Sequence, residues 1–121
     1  MKKQYMYLVH ATNKHTGIST IKLGFTTDPK QRLSTLRKRN THWQYGEMSL
    51  FTHSTTKYVK GDEQRLHEYN RYYQLQNGGL NEAPTEHYES CHMPVLYNQL
   101  MKLGYKSTEE QPIQNSMFEW V

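Results

Sequence analysis

Tyr5-Met6-Tyr7-Leu8-Val9-His10-Ala11 and Thr20-Ile21-Lys22-Leu23-Gly24-Phe25-Thr26, followed at once by Asp28-Pro29, decide how this chain folds. Both runs are short and β-prone, and the turn formers Asn13-Lys14-His15-Thr16-Gly17 lie between them, which predicts a β-hairpin. Asp28 offers an acceptor to cap a helix and Pro29 suits its first turn. Leu33 and Leu36 then mark one apolar face, so a helix is expected from Pro29 to about Lys38.

Further along, Glu47 to His53 carries Met48, Leu50 and Phe51 and reads as a third strand with looser alternation. Gly61-Asp62 opens a second expected helix, with Leu66, Tyr69 and Tyr73 at the spacing of a core-facing stripe, ending before Asn77-Gly78-Gly79. Pro94 to Leu103 gives a third, with Leu96, Leu100 and Leu103 on one side and Gly104 placed to end it. From Glu109 no period is visible. The expectation is therefore one domain over residues 1–108 and a C-terminal arm or tail over 109–121. Its class is α+β, a small, mainly antiparallel three-stranded sheet flanked by about three helices.

The 121 residues suffice for one modest core. Fifteen Lys and Arg against eleven Asp and Glu give a formal charge of +4, which favours a polyanionic partner. Lys30, Arg32, Arg37, Lys38 and Arg39 crowd into ten residues, so the first half is the basic one. Cys91 is the single cysteine, which excludes an intramolecular disulfide and a thiolate zinc cluster and fits a reducing, cytoplasmic compartment. No run approaches the roughly 18 to 20 apolar residues that span a bilayer. Ten tyrosines, two tryptophans and three phenylalanines point to an aromatic core with polar tips.

Phosphodiester hydrolysis needs a group to activate water, positive charge against the transition state and, usually, a metal to stabilise the leaving oxygen. Tyr5 and Tyr7 project from one face of the first strand, and Lys22 lies on the second strand of the same hairpin. A phenol with a pKa near 10 in water acts as a base only beside positive charge or a metal, which Lys22 and Arg32 would help supply. Arg32, in the first turn of its helix, meets a phosphate together with the helix N-terminus. Glu63, near the start of the second helix, is the kind of single carboxylate that presents a hydrated Mg²⁺ to a phosphate, and His67 follows one turn later. Arg37-Lys38-Arg39 with His42, Trp43 and Tyr45 would suit a backbone-tracking surface with stacking aromatics.

Tyr7-Leu8-Val9, Lys22-Leu23-Gly24-Phe25-Thr26, Arg32 eight positions after Gly24, and Glu63 in Glu63-Gln64-Arg65-Leu66-His67 together resemble the GIY-YIG endonuclease superfamily. The likeness is to the branch, common in phages and bacteria, whose second motif reads Lys-Ile-Gly; Thr85-Glu86-His87-Tyr88 is a loose counterpart of its later Gly-Glu-Trp-Phe. It covers roughly Tyr5 to Tyr88. It implies that Tyr7 lies beside the nucleophilic water, Arg32 contacts phosphate and Glu63 binds the metal, Mg²⁺ or Mn²⁺, with DNA, rather than RNA, as substrate; Tyr5, Lys22 and His67 are further catalytic candidates on the placement of the residues themselves. Lys30, Arg37, Lys38, Arg39 and Trp43 are then the expected nucleic-acid contacts, and a homodimer would supply two centres for a double-strand cut. Two positions depart from the pattern: Tyr5-Met6 precede Tyr7 where the first motif opens with glycine, and Lys22 stands where the second has tyrosine.

Each residue also has a plain structural reading. Tyr5 and Tyr7 suit any strand, Arg32 any solvated helix, and Glu63 any helix N-terminus. His67 reads more readily as a structural hydrogen-bonding group than as a ligand. No histidine pair has the His-x-x-x-His spacing, so a histidine-bound zinc site is not expected. Gly78-Gly79 lacks the spacing of a phosphate-binding loop. Two other classes stay open at this point: a non-catalytic nucleic-acid-binding module on the same fold, and a protein-interaction domain with a basic surface.

Overall fold

In the computed structural model, which describes residues 3–39, 42–54, 58–75 and 87–108, the expected hairpin forms with longer strands. β1 (Tyr5–Asn13) and β2 (Ser19–Thr26) pair antiparallel, with Tyr7 opposite Gly24 and Val9 opposite Lys22. The Asn13 side chain accepts hydrogen bonds from the backbone N–H of His15 and Thr16, and Gly17, at φ 75°, completes the turn. α1 (Pro29–Arg39) starts where Asp28 Oδ1 accepts from the Gln31 N–H, and it buries Leu33.

β3 (Trp43–Thr52) starts earlier than the sequence suggested, and the reason is a bulge. Val9 pairs with Met48 but Ala11 pairs with Tyr45, so β3 carries one more residue than β1 across that interval, at Gly46-Glu47. The extra residue switches the inward parity from Trp43 and Tyr45 to Met48 and Leu50, which is why the alternation looked loose.

α2 (Val59–Tyr69), β4 (His87–Glu89), α3 (Met93–Lys102) and β5 (Lys106–Ser107) complete the described fold. The sheet has five antiparallel strands in the order β4-β2-β1-β3-β5, not the expected three. β4 and β5 are three and two residues long, too short for a period of two to show. The α+β class stands. Gly104, at φ 95°, ends α3 as expected. The 109–121 arm, Gly78-Gly79 and Thr85-Glu86 lie outside the described residues. No helix among the described residues is long and apolar enough to cross a membrane.

Helices cover both faces of the sheet, so Tyr5 to Val9 of the central strand are buried without interruption. On one face Met6, Leu8, Ile21 and Leu23 meet Leu66 of α2 and Leu96 and Leu100 of α3. On the other, Tyr5, Tyr7 and Val9 meet Leu33 of α1 with Trp43, Tyr45, Met48 and Leu50. The expected stripe of α2 is corrected: Leu66 is buried, but Tyr69 and Tyr73 are exposed. The helix ends at Tyr69, so Tyr73 falls in the following 3-10 turn, and the inward positions are Val59, Glu63, Leu66 and Asn70.

Candidate active site

Strand β2 is the spine of the site. Lys22 points to the α1 side of the sheet, the side of Tyr5, Tyr7 and Val9, because it faces Val9 across the hairpin. Gly24 faces Tyr7, and a Cβ there would collide with the Tyr7 phenol, so the ring lies directly against the glycine backbone. Glycine is required at this position by space, not by φ. Any side chain would displace Tyr7.

Glu63 comes to the same stretch of backbone from α2. His67 Nε2 lies 3.1 Å from the carbonyl oxygen of Leu23 and 3.9 Å from Glu63 Oε2. A carbonyl only accepts, so Nε2 carries a proton, and Nδ1 is hydrogen-bonded to the Tyr88 hydroxyl at 2.7 Å. Gln74 Nε2 donates in turn to that hydroxyl. At the start of α2, the Tyr105 hydroxyl donates to Asp62 Oδ2 at 2.7 Å. Burial and the Asp62 carboxylate push the Tyr105 phenol well above the usual tyrosine range, so it stays a donor. Glu63 thus sits on a turn pinned on both sides. Tyr7, from the α1 side of the sheet, and the Glu63–His67 pair, from α2 on the other side, thus reach two consecutive residues, Gly24 and Leu23.

Lys22 is 4% exposed, and its neighbour across the next strand pair is His87, which the sequence did not bring forward. His87 Nδ1 lies 2.9 Å from Thr20 Oγ1, and the ring sits 5.0 Å from that of Trp43. Burial, reinforced by the Lys22 ammonium, lowers the His87 pKa to about 3, so this histidine is neutral at pH 7. The signal for it was present in the Thr85-Glu86-His87-Tyr88 run, whose last two residues open β4.

Arg32 occupies the next segment of the surface. A groove of about 440 Å³ is bounded by Phe25, Thr26 and Asp28 after Gly24 and by Gln31, Arg32 and Arg39 of α1. Arg32 and Arg39 are two turns apart on one helix face, so two guanidinium groups border a channel that begins one residue beyond Gly24. Tyr5 pairs with Thr26 at this end of the hairpin, with the Lys3 ammonium 5.5 Å from its ring centre. Lys30, Arg37 and Lys38 are exposed, Arg37 donating from Nε to the Tyr45 carbonyl.

One expected group is overturned. Trp43 and Tyr45 are each 4% exposed and belong to the core beside His87, so they have no open ring face on which a base could stack. The bulge turns both inward. The chemistry of the donor set suits a hydrated Mg²⁺: Glu63 is a single carboxylate of the kind that holds this ion together with water and phosphate oxygens. Among the described residues no group of three or more His, Cys, Asp or Glu could hold a metal by protein ligands alone. Comparison with protein-family models, with curated proteins and with solved structures returns no match, so the functional reading rests on this chain's own residues.

Proposed function

We propose that this chain is a GIY-YIG-type endonuclease that hydrolyses phosphodiester bonds in DNA, with one Mg²⁺ or Mn²⁺ held by Glu63. The observation that carries the reading is that Tyr7 and the Glu63–His67 pair, from the two sides of the sheet, reach Gly24 and Leu23, next to a groove bordered by Arg32 and Arg39. When bound, the ion stabilises the leaving oxygen. Tyr7, as phenolate, takes the proton of the water whose oxygen attacks phosphorus, and the Lys22 ammonium favours that ionised form. As the new P–O bond forms, the bond to the leaving oxygen breaks, and solvent protonates the alkoxide released. Arg32 neutralises the phosphate, Arg39 extends the track, and His67 holds Glu63 in place.

A second reading, binding without cleavage, is favoured by Lys22, which stands where the second motif carries tyrosine and is buried. Incubation with supercoiled plasmid in Mg²⁺, Mn²⁺ or EDTA separates the two. Wild type is expected to nick the plasmid only with metal, and Glu63→Ala to lower the rate by about 10²-fold or more while still binding DNA. Arg32→Ala is expected to lose both cleavage and part of the binding. Salt-dependent binding by wild type without a metal-dependent cut would favour the second reading, and absence of both would point to a protein-interaction domain.

A further inference from the structure

α2 ends at Tyr69, and around its end a chain of four aromatic rings, each close to parallel with the next, runs from the surface to the candidate centre. Tyr73 lies 4.6 Å from His92 at 24°, His92 lies 5.4 Å from Tyr88 at 20°, and Tyr88 lies 5.8 Å from His67 at 7°. The inner end is His67, against Glu63 and the Leu23 carbonyl. The outer end is open: Tyr73 is 60% exposed although one face covers His92, and Tyr72 beside it is 96% exposed.

Core formation does not account for these two tyrosines, because each large ring left in water forgoes the burial that would stabilise it. They border a cavity of about 370 Å³ whose other walls include Gln74, Leu75, Glu89 and His92. That volume is within the range of small-molecule sites, roughly 300–1,000 Å³. The walls combine flat aromatic faces with groups that read a polar edge. His92 Nε2 is committed to Asn70 Oδ1 at 2.8 Å, so in the neutral ring that burial favours, Nδ1 is an acceptor. The Glu89 carboxylate accepts as well.

Acceptors at the edge of an aromatic slot fit a planar ring bearing amino groups. We propose that Tyr73, with Tyr72, is a stacking site for an unpaired nucleobase, extending the ring column by one member and directing the enzyme to single-stranded or unpaired DNA. The inference rests on the nucleic-acid reading of the neighbouring centre and deepens it by naming the substrate class. Inside a duplex both faces of a base are already stacked on neighbours, so only an extruded or unpaired base can occupy the slot.

The test uses the full chain in EDTA, so that nothing is cut, and fluorescence polarisation with three labelled probes: a short single-stranded oligodeoxynucleotide, the same strand carrying abasic sites, and a duplex. Tyr73→Ala is expected to weaken single-strand binding about tenfold or more, Tyr72→Ala to weaken it less, and Tyr73→Phe to stay close to wild type. Wild type should bind the abasic strand as weakly as Tyr73→Ala binds the intact one, with duplex binding unchanged. Equal affinities across all variants would overturn the proposal, as would a uniform loss on all three probes. Tyr72→Ala, at a position almost wholly in water, keeps the test valid if Tyr73→Ala fails to fold. Plasmid cleavage by wild type combined with binding indifferent to Tyr73 would sink the stacking site alone. Base-dependent binding without metal-dependent cleavage would sink the nuclease reading alone.

Discussion

The two faces of the sheet are both buried, but they are built from different chemistry. The face toward α2 and α3 is mostly hydrocarbon, with Met6, Leu8, Ile21, Leu23, Leu66, Leu96 and Leu100 at 0–1% exposure. The face toward α1 holds Tyr5, Tyr7, Trp43, Tyr45 and His87 together with the amine of Lys22. Burying an amine and an imidazole costs free energy that aliphatic side chains would not, and a strand pair that needed only stability would carry them on neither face. On the first face the strands contribute hydrocarbon that seats α2 and α3, and the buried polar groups there, Glu63 and Asn70, come from α2; on the second the strands themselves bury the amine and the imidazole.

The sharpest way to break that comparison is to truncate each face in turn. Leu100→Ala on the hydrocarbon face should cost about 2–5 kcal/mol in urea unfolding while the folded fraction keeps its cleavage rate. A cost below about 1 kcal/mol would mean that α3 is not the anchor it is taken to be. On the polar face, pH is the probe. In the unfolded chain His87 titrates near 6.5, whereas in the fold its pKa is about 3, so between these values the unfolded state binds the extra proton. Stability should therefore fall as pH drops from about 6.5 towards 3, by up to about 1.4 kcal/mol per pH unit, and show no His87 contribution above that window. Urea midpoints of wild type and His87→Gln across the window check this; parallel curves would mean that the folded state accommodates a charged His87. The smallest effect belongs to the rim of the groove. Arg39→Ala should weaken DNA binding without regard to sequence and reduce the slope of log affinity against log salt by about 1. An unchanged slope would remove Arg39 from the phosphate track.

The hairpin, α1 and α3 were legible because each is a local pattern: alternation around a turn, Asp28-Pro29 at a helix start, Leu96 and Leu100 before Gly104. β3 was legible only from the bulge onward, since one inserted residue reverses the parity that a reader counts. The inward face of α2 was misread for a different reason. Hydrophobic periodicity is blind to polar residues buried with partners, so Glu63 and Asn70 were passed over in favour of Tyr69 and Tyr73. The same blindness hid His87, whose neighbour Lys22 is 65 positions away in sequence but directly opposite in the sheet. Of the expected site, Tyr7, Lys22, Glu63 and His67 gather around β2 and Arg32 borders the adjoining groove, while Trp43 is withdrawn into the core.

The sequence by itself determined the α+β class, the hairpin that carries Tyr7 and Gly24, and the helix that carries Arg32 eight residues on. These depend on side-chain period, turn residues and caps, which act over a few neighbouring positions. Only the tertiary structure decided that His67 meets the Leu23 carbonyl, 44 residues back along the chain, and that Tyr88 and His92 link it to Tyr73 at the surface. Such contacts form between segments that the folded sheet and its helices bring together, and no local pattern of residues records a partner that distant.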